Sequence, residues 1–295
     1  MHDAERGQVY WSLRPQGGRL PKVQKERVVI EGVKHIVAVA SGKGGVGKST
    51  VTANLALAMA AEGYRVGILD ADIHGPSQAR MLGVAEGTRP ESAGENRLKP
   101  LEAHGLQAMS MAFMVDVREP TVWRGPMVAG AFQQLLTQTV WDDLDVLFID
   151  MPPGTGDIQL TLAQKVPVDG AVIVTTPQDI ALLDARKGIE MFRKVNVPTF
   201  GVVENMSLHV CSNCGHSEPI FGEGGGERIA VEYDTRLLGR LPLTLAIREQ
   251  ADGGEPTVVA EPDGEVTATF RDMARQVAEQ LGGPVDEGPE ISFSE

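Results

Sequence analysis

The sequence predicts an α/β fold with a doubly wound, mostly parallel sheet. Short segments rich in Val and Ile alternate with longer segments of helical period, as expected for buried parallel strands joined by helices. The chain of 295 residues is long enough for one large domain with a well-buried core. No apolar run reaches the roughly 18 residues that a membrane span requires.

Near-continuous apolar segments are predicted as the strands. In chain order they are HIVAVAS (35–41), RVGILD (65–70), VLFID (146–150), AVIVTT (171–176), TFGVVEN (199–205) and LLGRLP (237–242). A first helix is predicted over 48–63, where an Ala and Leu stripe would pack on the sheet and Gly63 would end the helix. Further helices are predicted near 126–139, 157–165, 179–195 and 264–281.

Composition divides the chain into one domain and two ends. Residues 31–282 are predicted to form the domain, with a cysteine-containing loop at 206–224. Residues 1–30 are an amino-terminal extension without the apolar region of a signal peptide. The acidic tail at 283–295 is predicted to be disordered. Residues 84–105 are rich in Gly, Glu, Pro and Arg, and a surface excursion is expected there.

Charge and cysteine content narrow the partners and the compartment. The formal net charge of -13 disfavours a nucleic-acid or anionic-membrane partner, because both need clustered Lys and Arg. With only two cysteines, a disulfide framework is not expected. We therefore expect a cytoplasmic protein without nucleic-acid or membrane partners.

The segment SGKGGVGKST lies where the first strand gives way to the first helix, and it fits the phosphate-binding pattern G-x-x-x-x-G-K-[ST] from Gly42 to Ser49. Its glycines allow the backbone to wrap around a polyphosphate and to direct N–H groups at it, while the helix N-terminus adds positive potential. Lys48 is expected to reach the terminal phosphates, and the Ser49 hydroxyl to bind Mg²⁺.

Acidic residues follow two of the predicted strands. Asp70 and Asp72 end the strand at 65–70, and Asp150 ends the strand at 146–150. In an open parallel sheet, ligands bind beyond the carboxyl ends of the strands, where the phosphate loop also lies. Asp150 is expected to hold a Mg²⁺-bound water, and Asp70 or Asp72 to orient the attacking water.

A second lysine in the loop, Lys43, is not required by the general pattern. With Lys48 in GKGGVGKS, it resembles the deviant Walker A loop of P-loop NTPases in the MinD, ParA and nitrogenase iron protein group of ATPases. In that group the early lysine contacts nucleotide bound by the other subunit. The resemblance implies a homodimer that sandwiches ATP, with Lys43 taking part in catalysis.

A narrower resemblance rests on motifs that occur together and in order across most of 35–250. They are DADIHGPSQARMLG, WRGPM at Trp123–Met127, DMPPGTGD, ENMS followed by C-x-x-C, and FGEGGGE. This combination is similar to the Mrp/ApbC branch, the ATPases that carry iron-sulfur clusters. WRGPM is expected to be a turn leading into the next helix, with dimer or client contacts as the alternative.

The resemblance implies roles for individual residues. Phosphate binding falls to Gly44, Gly45, Gly47, Lys48, Ser49 and Thr50, and Gly42 and Val46 complete the candidate nucleotide-binding set. Asp72 is assigned to water activation, Ser49, Asp70 and Asp150 to the surroundings of Mg²⁺, and Asn205 to the adenine. Glu204 receives no role from the resemblance and is expected to be solvated.

Four explanations compete for Cys211 and Cys214. A 4Fe-4S cluster takes four thiolates, which two cysteines per chain supply only when two chains pair across a two-fold axis. Zinc is the second, because His209 and His216 complete two nitrogen and two sulfur ligands in one chain, and a dimer offers four thiolates. A thioredoxin-like redox pair is disfavoured because Gly and Pro follow in place of a helix start. The last is an incidental pair.

The resemblance therefore implies an ATP-hydrolysing carrier that binds a labile 4Fe-4S cluster between two subunits and transfers it to apo-proteins, with hydrolysis coupled to loading or transfer. A MinD-like or ParA-like partition ATPase is the alternative, as is a zinc-binding P-loop ATPase. The partition function requires a basic amphipathic helix or basic surface, whereas the carboxyl-terminal tail is acidic. A small-molecule kinase would need an acceptor pocket that no motif indicates.

Overall fold

The computed structural model describes residues 29–73, 75–113 and 125–282. Its strands are β1 (Val33–Ala40), β2 (Val66–Asp70), β3 (Leu101–Ala103), β4 (Leu106–Ser110), β5 (Leu144–Asp150), β6 (Gly170–Thr175), β7 (Thr199–Glu204), β8 (His209–Val210), β9 (Ser217–Glu218) and β10 (Leu237–Arg240). Its helices are α1 (Lys48–Ala61), α2 (Gln78–Met81), α3 (Gly125–Gln138), α4 (Asp157–Lys165), α5 (Asp179–Lys194), α6 (Gly225–Glu232), α7 (Leu245–Gly253), α8 (Thr257–Ala260) and α9 (Glu265–Gln280).

Some sequence predictions fall outside the described residues. They concern the acidic tail at 283–295, all but the last two residues of the extension at 1–30, and Trp123 and Arg124 of the WRGPM motif. The other three residues of that motif begin α3. None of the helices in the described ranges is long and apolar enough to cross a membrane.

Eight strands form one sheet in the order β10-β7-β6-β1-β5-β2-β4-β3. Neighbouring strands are parallel except for β3, which runs antiparallel to β4 at the edge. The chain places β2, β4 and β5 on one side of β1 and β6, β7 and β10 on the other. This arrangement confirms the doubly wound, mostly parallel α/β fold, and it makes the carboxyl end of β1 a topological switch point where ligands bind.

Both faces of the sheet are buried, which explains why the strands are continuously apolar. Side chains alternate between the faces along β1: Ile36 and Ala38 pack against α3, α4 and α5, whereas Val37 and Val39 pack against α1, α8 and α9. A purely apolar strand sequence is therefore compatible with the period of two that directs successive side chains to opposite helical layers.

The prediction of a surface excursion over 84–105 is wrong at the carboxyl end of that range. Leu101–Ala103 forms β3, and the following β4 was not predicted although its register with β2 runs over four residues. β4 has the sequence LQAMS, which contains no β-branched residue, so pairing with β2 overrides a weak local preference. The short helices α2, α6, α7 and α8 were also missed, because one or two turns give little periodic signal.

Candidate functional site

The phosphate loop connects β1 to α1, and its glycines are required by geometry. Gly45 and Gly47 have φ angles of 81° and 82°, the left-handed region that favours glycine. A Cβ at Gly47 would lie 2.1 Å from Asn205 Nδ2, and a Cβ at Gly42 would lie 2.1 Å from the carbonyl oxygen of Asp184 in α5. The loop is thus fitted tightly between β7 and α5, with its remaining face open.

A cavity of about 230 Å³ lies on that open face. It is lined by Ser41, Gly44, Gly45, Gly47, Lys48, Ser49, Thr50, Asp72, Ser77, Met81 and Pro153. The structure therefore brings together the predicted phosphate-binding residues and the predicted water-activating carboxylate. Asp72 is buried at this cavity, and its Oδ1 accepts a hydrogen bond from the Gly75 N–H at 3.2 Å.

Lys48 and Asp150 form a buried ion pair beneath the cavity. The same Lys48 Nζ donates to Ser49 Oγ at 3.2 Å, and Thr52 Oγ1 donates to Asp150 Oδ1 at 3.1 Å. Asp150 thus lies where it can orient Lys48 and Ser49, the two residues expected to meet phosphate and Mg²⁺. Its own oxygens are engaged by protein groups, which fits contact with a Mg²⁺-bound water better than direct ligation.

Gln78 is a site residue that the sequence reasoning missed. Its Nε2 donates to Asp150 Oδ2 at 2.8 Å and to the Ser49 carbonyl at 2.9 Å, so it joins α2 to the first turn of α1. The DADIHGPSQARMLG motif was recognised, and the polar residue after Gly-Pro-Ser at a helix start was the available signal. Buried oxygens of Ser77 and Gln78 have no hydrogen-bond partner in the described residues.

Asp70 is fully buried at the end of β2. Its Oδ1 accepts from the Asp72 N–H at 3.0 Å, and its Oδ2 accepts from the N–H groups of Ser77 and Gln78 at 2.9 and 3.0 Å. Burial, together with the nearby charge of Asp150, raises the pKa of Asp70 to about 7. The hydrogen bonds from the backbone lower this pKa but do not outweigh the effect of burial. In this arrangement Asp70 holds the segment after β2 in place. Its predicted bond to Mg²⁺ would require one of these backbone hydrogen bonds to break.

The donors around the cavity fit Mg²⁺. Three buried carboxyl groups, Asp70, Asp72 and Asp150, lie around a single buried ammonium group, Lys48, so acidic groups outnumber cations at the site. The Ser49 hydroxyl lines the cavity, and the partnerless oxygens of Ser77 and Gln78 lie in the adjoining segment. Hard oxygen donors with excess negative charge are the surroundings that Mg²⁺ prefers.

Asn205, directly after β7, contacts the phosphate loop. Its Nδ2 donates to the Val46 carbonyl at 2.9 Å, and its Oδ1 accepts from the Met206 N–H at 2.9 Å. The predicted contact with adenine is not tested by these bonds and stays a prediction. They establish that the segment leading to the cysteines begins against the nucleotide loop.

The two cysteines lie outside the cavity, on the turn of the β8–β9 hairpin. The Cys211 N–H donates to the His216 carbonyl and the Gly215 N–H donates to the Cys211 carbonyl, both at 2.9 Å. The backbone N–H of Cys214 donates a hydrogen bond to the Cys211 sulfur and is the main reason that the pKa of Cys211 is lowered. The backbone N–H of Asn213 also donates to this sulfur and lowers the pKa further. The turn therefore favours the thiolate, which is the form that binds metals, and Cys214 is exposed.

The described residues hold no group of three or more His, Cys, Asp and Glu side chains that could bind a metal ion. The described residues therefore do not bring His209 and His216 together with the two cysteines as ligands of one zinc ion. His209 pairs with Glu218 across the antiparallel hairpin, and its Nδ1 lies 3.4 Å from the Leu243 carbonyl oxygen. Each chain offers two thiolates at the turn.

Glu204 was expected to be solvated, and the structure contradicts this expectation. It is 1% exposed at the end of β7, and its Oε2 accepts a hydrogen bond from the Gly226 N–H at 2.5 Å. By contrast, Lys43 is partly exposed, and its side chain has no ion-pair partner in the described part of the chain. Lys43 is thus available to another molecule.

Comparison with known proteins shows the family of this chain. Residues 32–278 match the family model ParA, described as NUBPL iron-transfer P-loop NTPase. A Pseudomonas fragi protein named iron-sulfur cluster carrier protein is 65% identical over 86% of this chain and 88% of its own length. A protein of the same name from Escherichia coli K12 is 57% identical over 97% of this chain and 77% of its own. The mouse iron-sulfur cluster transfer protein NUBPL is 49% identical over 85% and 79%.

Solved structures show the same fold. A nucleotide-binding protein from Archaeoglobus fulgidus in complex with ADP, with cobalt found in it, superposes with a TM-score of 0.69 at 36% identity, covering 81% of this chain and 93% of that one. The cell division ATPase MinD of Pyrococcus furiosus has a TM-score of 0.63 at 23% identity over 84% and 99%, which shows the fold alone. The chain belongs to the ParA family of NUBPL iron-transfer P-loop NTPases.

Proposed function

We propose that this chain is an ATP-hydrolysing iron-sulfur cluster carrier, which binds a labile 4Fe-4S cluster as cargo between two subunits and transfers it to apo-proteins. The observation that carries the proposal is the continuity of the two sites. Asn205 contacts the phosphate loop through Val46, and the cysteine turn follows six residues later along the same segment. Nucleotide and cargo are therefore bound by one connected stretch of chain.

On the nucleotide side, the N–H groups of the phosphate loop and the Lys48 ammonium would bind the phosphates of ATP. Mg²⁺, held near Ser49 and Asp150, would neutralise the charge that develops on the transferred phosphoryl group. Asp72, at the cavity, would accept a hydrogen bond from the attacking water and orient it. This assignment makes Lys48 and Asp72 the catalytic residues within one subunit.

On the cargo side, one chain supplies two thiolates and a 4Fe-4S cluster takes four. A two-fold symmetric dimer doubles every patch on its axis and thus joins two cysteine turns into one site. Lys43 supports the same dimer, because a loop lysine without an ion pair among the described residues can reach nucleotide in the other subunit. An exposed hairpin turn also suits a cluster that must be released, since client thiols can approach it.

The remaining parts of the proposal concern surroundings and partners. The clients would be apo forms of iron-sulfur proteins, in agreement with the names of the Pseudomonas fragi and Escherichia coli relatives. The net charge of -13 supports a cytoplasmic protein that binds neither nucleic acid nor anionic membranes. ATP-dependent pelleting with DNA or liposomes would instead favour the partition function.

The proposal is tested by anaerobic reconstitution with iron and sulfide, followed by iron and sulfide analysis and mass measurement of the native complex. We expect about four irons per dimer, and loss of iron in Cys211→Ala and in Cys214→Ala. Ser212→Ala, between the cysteines, is the matched control and should retain the cluster. A cluster on a monomer, or iron binding that ignores both cysteine substitutions, would contradict the bridging site.

Metal analysis of protein purified with and without air distinguishes an iron site from a zinc site. Four thiolates of a dimer would also suit tetrahedral zinc, so zinc in stoichiometric amount after anaerobic purification would favour a zinc-binding P-loop ATPase. Zinc only in aerobic preparations would be consistent with occupation of an emptied cluster site.

A further inference from the structure

The cysteine loop, residues 206–224, has both of its ends at one side chain. Glu204 precedes the loop by two residues, and its Oε2 accepts the Gly226 N–H two residues after the loop ends. Gly226 is the second residue of α6, whose N-cap, Gly224, supplies no side-chain hydrogen bond. A carboxylate from β7 therefore satisfies a helix N–H group that has no partner within α6.

The glycines of FGEGGGE are explained by this closure. A Cβ at Gly226 would lie 2.9 Å from Glu204 Cβ, and a Cβ at Gly225 would lie 2.7 Å from Leu182 Cδ1 in α5. Gly224 has a φ of 64°. Each glycine thus allows the start of α6 to approach β7 and α5 closely. We define the neck of the loop as the contact between Glu204 and Gly226, and this contact is tightly packed.

The neck also contacts the nucleotide site through Glu204's neighbours. Asn205, the next residue, donates to the Val46 carbonyl in the phosphate loop. The helix α5 contacts both the start of α6 and the phosphate loop, because Leu182 packs against Gly225 and the Asp184 backbone packs against Gly42. A shift of the phosphate loop on nucleotide binding could therefore move the neck in two ways, through Asn205 and through α5.

Arg240, the last residue of β10, completes the surroundings of the carboxylate. Its Nε lies 3.5 Å from Glu204 Oε1, while its Nη2 lies 2.6 Å from the exposed Glu227 in the first turn of α6. The buried Glu204 is thereby held by one N–H donor and one partly exposed guanidinium. Glu227 shares the arginine without touching the neck, which makes it a matched control.

We propose that Glu204 is a positioning residue that couples the nucleotide site to the cysteines by closing the neck of the cysteine loop. The proposal rests on the proposed function and names the contact through which nucleotide would alter the placement of Cys211 and Cys214. Without the hydrogen bond between Glu204 and Gly226, only apolar packing on Leu182 would position the second end of the loop, and movement of the phosphate loop would no longer determine where that end lies.

The test measures the rate at which a chromogenic disulfide modifies the cysteines of cluster-free protein, with and without saturating Mg-ATP. In the wild-type protein we expect Mg-ATP to change this rate about fivefold or more, a usual size for coupling between sites. Glu204→Met, which has similar length and no acceptor, should remove the nucleotide effect. Glu204→Gln, which retains an acceptor oxygen, should keep most of it, and Glu227→Ala should keep all of it.

Gly226→Ala provides a second route to the same result, because its Cβ would push the neck open while Glu204 remains intact. It should also remove the nucleotide effect, including in the case that Glu204→Met fails to fold. Retention of the wild-type nucleotide effect in Glu204→Met or Gly226→Ala would overturn the proposal, as would its absence in the wild-type protein. Because the assay uses no cluster, failure of iron reconstitution would refute the carrier function without changing this readout.

Discussion

Lys48 and Asp150 form an ion pair in which the two side chains are 6% and 0% exposed. Removing one partner of a buried pair leaves an uncompensated charge, so Lys48→Met should lower the free energy of unfolding by about 3 kcal/mol. It should also abolish ATP hydrolysis, because the phosphates lose their ammonium contact. Urea denaturation and phosphate release measure the two effects.

The double variant Lys48→Met with Asp150→Asn separates stability from catalysis. It removes both charges together, so most of the lost stability should return, whereas hydrolysis should stay absent. A double variant no more stable than Lys48→Met alone would show that the ion pair does not account for the loss.

Gln78 should contribute to stability through its two bonds to Asp150 and Ser49. Gln78→Ala leaves Asp150 Oδ2 without its amide donor, and we expect a loss of about 1–3 kcal/mol in urea denaturation. Gln107→Ala is the matched control, because among the described residues the Gln107 amide bonds to the backbone of Asp142 alone, at an exposed position. Equal losses in the two variants would mean that burial beside Asp150 adds nothing.

The predictable parts of this molecule are those with a local pattern. The phosphate loop and the strand-end carboxylates follow from residue types next to one another. The cavity brings Asp72 to the loop, and the ion pair with Lys48 brings Asp150 to it. Gln78 and Glu204 were missed because their partners lie far along the chain. Gln78 bonds a carboxylate 72 positions later, and Glu204 bonds an N–H group 22 positions later. Such contacts depend on strand order, which no single segment encodes.

The amino-terminal ends of the strands, opposite the nucleotide site, hold a second cluster of charged residues. Asp145 in β5 accepts from Lys34 Nζ in β1 and from the Arg65 N–H before β2, both at 2.8 Å. Partial burial would raise the pKa of Asp145, but these two contacts and the Arg65 guanidinium outweigh it and lower the pKa from 3.8 to about 2. The carboxylate thereby joins the starts of three adjacent strands.

Because the folded-state pKa is below the unfolded value, the stabilisation by Asp145 is present above about pH 4 and is lost as the pH falls toward 2. Asp145→Asn should lower the free energy of unfolding at pH 7 by about 1 kcal/mol, a value reduced for solvent screening. The difference from wild type should shrink between pH 4 and 2. Asp143→Asn, at an exposed partner of Arg65, should show a smaller effect, and a difference independent of pH would refute this account.

Gly47 is predicted to be intolerant of a side chain for two reasons. Its φ is 82°, and a Cβ would meet Asn205 Nδ2. Gly47→Ala should weaken nucleotide binding at least about tenfold, the equivalent of 1.4 kcal/mol of strain and displacement. Gly63→Ala has a similar φ of 93° but nothing within 4 Å, so it should lose stability and keep nucleotide binding. Equal binding by both variants would show that contact with Asn205 is unimportant.

Lys43 is predicted to act on nucleotide in the other subunit. Lys43→Ala should leave binding of Mg-ADP by the monomer near wild type, while ATP-dependent dimerisation is lost and hydrolysis falls at least about 100-fold, as for other cationic residues supplied in trans. Sedimentation velocity and phosphate release measure these effects. Lys99→Ala is the control, because Lys99 is an exposed lysine that pairs with Glu91 away from the phosphate loop.

Mixing two inactive variants distinguishes a lysine acting across the dimer from one acting within its own subunit. In a mixed dimer of Lys43→Ala and Asp72→Asn, the first subunit keeps its own Asp72 and receives Lys43 from its partner, so one of two sites is complete. With one complete site of two, each mixed dimer should hydrolyse ATP at about half of the wild-type rate per dimer, whereas neither variant alone should show activity. No recovery despite confirmed exchange would place Lys43 in its own subunit's site, and the symmetric dimer that joins the cysteines would lose its main support.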